Sequence, residues 1–276
     1  MQINTYMPAR HRTFLERALA AVPGVEGIVG LAAGGSFIAG EIDEFSDLDL
    51  VLAVEPSSWP EILDRQQAIA GELDSSFLAG FTGEHVGEPR LLVCLYGPPL
   101  LHVDLKFVSL DDVHERIEDP VILWEVDGCL SAAFARAAPR YPTADPDWIA
   151  ERFWIWAHYV ADKVERGEIF EALDGLTFMR AVALAPLAFR RADVQATGVR
   201  RIEDRLPAFA TDLERTVAGV DTAACAVALE AAIDLYTKLR EAGGTPGTVE
   251  MSDVEREVRA YVAALPARLQ LPDPDA

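Results

Sequence analysis

The chain has 276 residues, 50% of them hydrophobic, and a formal charge of −21 from 24 basic and 45 acidic side chains. That length suits one large or two ordinary domains, and so apolar a composition excludes a disordered chain. The negative charge argues against polynucleotide substrates, whose phosphates it repels; it is compatible with a cationic small molecule, and it also matches a general bias toward alanine and arginine over lysine.

Cys94, Cys129 and Cys225 are far apart and set in apolar surroundings, so they read as reduced core thiols and not as a disulfide framework or zinc site. No uninterrupted apolar run reaches membrane-spanning length, and the first residues lack the layout of a signal peptide. The expected location is cytoplasmic, with no membrane partner.

Pro8 to Val22 has the spacing of an amphipathic helix, with Phe14, Leu15, Ala18, Leu19 and Val22 along one side and Pro23-Gly24 as its stop. Val25 to Ala32 reads as a strand and Gly34-Gly35-Ser36 as a tight turn into a short helix. Leu48 to Val54 reads as a second strand. Ser57 and Ser58 are candidate caps for a helix from Trp59 or Pro60 to about Leu73. Phe77 to Phe81 is a weaker strand, followed by a loop over 83–89. Leu91 to Tyr96 and Leu100 to Leu110 form a hairpin around Gly97-Pro98-Pro99, and Val121 to Trp124 is a last strand.

Three prolines between Pro139 and Asp147 cannot continue a helix, which places the boundary between a first domain over 1–138 and a second over 145–276. Asp145-Pro146 has the form of an N-cap followed by a first-turn proline, opening a helix to Gly167 that carries Trp148, Phe153, Trp154, Trp156 and Tyr159. Further helices are expected over 168–190, disturbed near Gly175 and Pro186, over 204–218, and over 222–242 with a stop at Gly243-Gly244. A last one opens at the capping-box pattern Ser252-Asp253-Val254-Glu255 and runs to about Leu265. Such a succession makes a bundle. The fold class is therefore α+β: a mixed sheet flanked by helices, then an α-helical bundle.

Chemistry concentrates at Gly34-Gly35-Ser36 and at Asp47-Leu48-Asp49. Two glycines let the backbone bend and a ligand approach it closely, while Ser36 offers a hydroxyl and a backbone N–H. Asp47 and Asp49 are two apart, so their carboxylates leave a strand on the same side and repel each other unless a cation stands between them. Mg²⁺ suits hard oxygen ligands and commonly combines one or two carboxylates with substrate phosphates. A third acid is available on 100–108, where His102, Asp104 and Lys106 alternate with apolar residues on one face. Lys106 is one of only three lysines, and it is a candidate for the triphosphate or for a salt bridge.

These residues, a Gly-Gly-Ser turn, an Asp-x-Asp pair roughly ten residues on and a later strand-borne Asp, resemble the nucleotidyltransferase superfamily with the DNA polymerase β-like fold. A small catalytic domain followed by helices is similar to the minimal and the antibiotic-modifying members, such as the aminoglycoside and lincosamide nucleotidyltransferases. The resemblance implies transfer of a nucleoside monophosphate, AMP from ATP, to an acceptor hydroxyl. Asp47, Asp49 and Asp104 would be the metal-binding and catalytic residues, with Asp104 either a further ligand or the general base. Gly34, Gly35, Ser36 and Lys106 would be at the nucleotide, Mg²⁺ the cofactor, and the helical domain the part that selects the acceptor. Glu84, Glu88, Glu165, Glu168 and Asp174 are the acids that would meet a cationic acceptor. A protein acceptor, as in the minimal enzymes that adenylylate a toxin partner, is the first rival. A second rests on Arg152 and His158, which resemble the Arg-and-His pattern of helical HEPN ribonucleases. A catalytically silent nucleotide-binding protein is the third.

Overall fold

The computed structural model describes residues 7–195, 198–242 and 252–269. It is an α+β structure whose described residues fall into two compact units, one ending at Pro142 and the other beginning at Thr143.

The first unit is built on six strands: β1 Ile28–Ala33, β2 Leu48–Val54, β3 Phe77–Gly83, β4 Glu88–Tyr96, β5 Leu101–Ser109 and β6 Val121–Glu125. Their order across the sheet is β3-β4-β5-β2-β1-β6, with β2 and β5 parallel and every other neighbouring pair antiparallel. Alternation along the strands sends two sets of side chains to opposite faces. One set, including Leu48, Leu50, Leu52, Leu92, Cys94, Val103, Leu105 and Phe107, forms the main core. Helices α1 Ala9–Ala21, α3 Trp59–Asp64 and α4 Gln66–Leu73 cover it through Phe14, Leu15, Ala18, Ile62, Ile69 and Leu73. On the opposite face a smaller cluster of Ala32, Ala53, Val108 and Val113 packs under Leu130 and Ala133 of α5 Cys129–Phe134. Asp49 and Asp104 belong to that second face, beyond the reach of α5.

The expected helix over 59–73 is two helices broken at Arg65, whose φ of −108° and ψ of 9° leave the helical region. Ser58 makes no capping hydrogen bond with its side chain, because Pro56–Ser58 is a 3-10 turn that already supplies the chain's entry to α3.

The second unit is helical: α6 Pro146–Glu165, α7 Ile169–Met179, α8 Ala185–Arg191, α9 Ile202–Arg205, α10 Pro207–Glu214, α11 Thr222–Ala242, α12 Ser252–Ala263 and α13 Leu265–Arg268. Asp145 caps α6 as its sequence suggests, accepting from the backbone N–H groups of Asp147 and Trp148. Phe153 and Trp154 are fully buried, Phe153 stacking on Tyr236 with centroids 3.7 Å apart. Trp148 is exposed. The irregularity expected near Gly175 and Pro186 is a π-helical turn at Arg180–Leu184, just before the proline; Gly175 stays within α7 because its missing Cβ lets Val160 pack there. Helices α9 and α10 replace one expected helix, the chain breaking at Leu206 ahead of Pro207. Ile169–Arg191 has the length and composition of a membrane span, but Leu176, Met179, Leu184 and Phe189 are buried in the bundle core. The expected stop at Gly243-Gly244 lies outside the described residues.

Candidate active site

Asp49 stands at the second position of β2, directly opposite Asp104 of the parallel strand β5, so both carboxylates project from the same face. Asp47 precedes β2 at the end of a loop that Asp43 organises: its carboxylate accepts from the N–H of Phe45 at 2.8 Å and from the Ser46 hydroxyl at 2.9 Å. His11, fully buried in α1, donates from Nε2 to the carbonyl of Ser46 at 2.7 Å and ties that loop to the main core. With the loop so held, one carboxylate oxygen from each of Asp47, Asp49 and Asp104 lies within 4.8 Å of the others, and all three residues are half-buried. Burial pushes the Asp104 carboxyl above the ordinary value; His102, with Nε2 3.0 Å from Asp104 Oδ1, draws it back down, and the negative charge of Asp47 raises it again.

The turn after β1 borders this cluster. The Gly34 N–H donates to the carbonyl of Asp49 at 2.8 Å, which extends the β1–β2 ladder by one residue. Gly35 has φ +57°, and a Cβ there would stand 2.0 Å from Asp49 Oδ2, so only glycine leaves room for the carboxylate. Its N–H donates to Glu118 Oε1 at 2.7 Å. Glu118 is a neighbour that no periodicity announces, since it lies in a loop between strands. The loop is fixed by Arg116, which donates to Asp119 and to the carbonyls of His114, Phe134 and Ala137. Ser36 begins the short helix α2 Ser36–Ala39.

Lys106 lies on the same face as Asp104 and pairs with Glu88 at 2.9 Å. Arg90 holds the same Glu88 through bonds of 2.7 and 2.9 Å and, with Lys106, keeps its carboxyl down at about 2. Glu165 is engaged by Arg268 and Tyr261, each at 2.9 Å, and Glu168 by Lys163 at 2.7 Å and Arg166 at 2.6 Å. Three of the five acids expected to meet a cation are thus already neutralised by the chain's own cations. Arg152 lies over the Trp148 ring and donates to Glu151, while His158, exposed, faces Asp162 at 3.6 Å and Tyr261. Cys94 and Cys225 are buried free thiols, and burial pushes Cys94 up to about 12, which removes it as a nucleophile.

The donor set fits a hard divalent cation: three carboxylates converge, partly open to solvent, and their mutual repulsion needs a positive charge to offset it. No protein-family model and no curated protein matches the chain. Among solved structures it is similar to an aminoglycoside 6-adenyltransferase from Bacillus subtilis, at 13% identity, covering 91% of this chain and 97% of that one with a TM-score of 0.39. It is also similar to a nucleotidyltransferase-like protein from Exiguobacterium sibiricum 255-15, at 13% identity, covering 93% and 88% with a TM-score of 0.30. At such identities and scores, a functional reading has to stand on the carboxylates and the turn themselves.

Proposed function

We propose that this chain is a nucleotidyltransferase that uses Mg²⁺ and transfers AMP from ATP to a hydroxyl of a small molecule. The observation that supports it is the convergence of Asp47, Asp49 and Asp104 within 4.8 Å beside a turn that admits only glycine. Asp47, Asp49 and Asp104 would hold Mg²⁺, whose charge would offset that of the triphosphate. The Gly35 N–H and the Ser36 hydroxyl position the outer phosphates, a phosphate oxygen replacing Glu118 at the Gly35 amide, while Gly34, whose N–H is held by the Asp49 carbonyl, lets the nucleotide approach the backbone. Lys106, within its ion pair, adds positive charge on the same face. The acceptor hydroxyl attacks the α-phosphorus in line and pyrophosphate leaves. Asp104, with His102 beside it, is either the third ligand or the base that takes the acceptor's proton, a role its raised carboxyl suits. The helical unit from Thr143 contributes to acceptor selection, and the protein works in the cytoplasm.

ATP labelled at either the α or the γ phosphate distinguishes this reaction from its neighbours. Label should reach a small acceptor from the α position only, and only with Mg²⁺. Transfer to a co-purified protein would replace the small-molecule acceptor, and label moving from the γ position would reassign the chemistry as phosphoryl transfer. Nucleotide binding without either transfer would leave a silent relative.

A further inference from the structure

One transverse row crosses five elements of the first unit. Gly34 bonds Asp49, Asp49 is registered against Asp104, Asp104 against Val93 of β4, and Val93 against Phe81 of the edge strand β3. Directly opposed residues share a face, so Val93 and Phe81 continue the carboxylate face outward. Leu95, registered against His102 and Ala79, flanks them on the same side. This continuation is apolar and open: Phe81 is 56% exposed, Leu95 38%, and Val93 half-buried. The His85 ring lies 5.4 Å from Phe81 and widens the strip. Two strand spacings, about 10 Å, separate Asp104 from Phe81 along the row.

The direction of the reaction says what occupies that strip. In-line displacement puts the leaving and attacking oxygens on opposite sides of the α-phosphorus. In the reading proposed above, on which this step rests, pyrophosphate leaves toward the Gly34-Gly35 turn, at one end of the row. The attacking hydroxyl then approaches from the Asp104 end, and the rest of the acceptor extends over β4 and β3. We propose that the acceptor lies on Val93, Leu95 and Phe81 and therefore presents an apolar or planar face beside its reactive hydroxyl, as a lincosamide does and a polycationic aminoglycoside does not. The charges near the strip agree in part: the Glu88 carboxylate is held by Arg90 and Lys106, so it is not available to an ammonium group.

The test is steady-state transfer from α-labelled ATP by the full chain, with a lincosamide and an aminoglycoside as alternative acceptors, in wild type, Phe81→Ala and Phe81→Leu. The lincosamide should be preferred. Phe81→Ala should raise its KM about tenfold with the KM for ATP within about twofold, and Phe81→Leu should restore most of the loss, because the strip supplies apolar area and not a specific bond. Preference for the aminoglycoside, an unmoved acceptor KM, or a rise in the KM for ATP instead would overturn the assignment of the strip while leaving the nucleotidyltransferase reading in place. Absence of transfer to either acceptor, together with no Mg²⁺-dependent ATP binding in wild type, would overturn both.

Discussion

At Gly35 an added methyl group meets two obstacles at once. The φ of +57° with ψ of −135° costs an L residue about 1–3 kcal/mol, and the new Cβ would displace the Asp49 carboxylate from a position only 2.0 Å away. Gly35→Ala should therefore lose activity by at least about a hundredfold, as one expects when a reacting group is moved by an ångström, with a drop in unfolding midpoint that a thermal melt will show. Asp49→Asn separates the two effects. It removes one of three converging charges and no apolar burial, so activity should fall by orders of magnitude while the melt drops less than in Gly35→Ala. Glu118 makes the opposite kind of prediction. Because its carboxylate occupies the Gly35 N–H, Glu118→Ala should lower the KM for ATP severalfold with little change in kcat; a raised KM would mean that the side chain helps to hold the nucleotide.

The site depends on elements that fix its loops, and these differ in how far the sequence announces them. Period-two alternation makes β2 and β5 readable, and with them the common face of Asp49 and Asp104, His102 and Lys106. Nothing periodic marks the loop that carries Glu118, nor the role of His11, which looks like one more residue of an amphipathic helix and is in fact the buried donor to Ser46. The break at Arg65 is equally hidden, since tertiary packing decides it and local propensity does not, whereas Pro186 announces the irregularity found at Arg180–Leu184. Between β4 and β5, the Glu88 carboxyl is depressed to about 2 from its usual 4.5 by Arg90 and Lys106. A depressed carboxyl contributes stability that is complete above the unfolded value and is lost as pH falls toward the folded one. The stability difference between wild type and Glu88→Gln should accordingly be constant near neutrality and shrink as pH drops from about 4.5 toward about 2, measured by urea unfolding at each pH.

For the molecule as a whole, the strand pattern locates the acids, whereas the charge of −21 is compatible with a cationic acceptor and equally with compositional bias. Net charge counts acids without their partners; Glu88, Glu165 and Glu168 are each bound by the chain's own cations. What distinguishes the site from an acidic surface is that Asp47, Asp49 and Asp104 are held together by β2, β5 and the loop anchored on His11. The most direct measurement is a titration of the full chain with Mn²⁺ in the presence of a non-hydrolysable ATP analogue, followed by calorimetry, in wild type and in Asp47→Asn, Asp49→Asn and Asp104→Asn. The account predicts nucleotide-dependent Mn²⁺ binding in wild type that each of the three substitutions weakens by at least about tenfold. Binding that is indifferent to all three, or its absence from the wild-type protein, would contradict it.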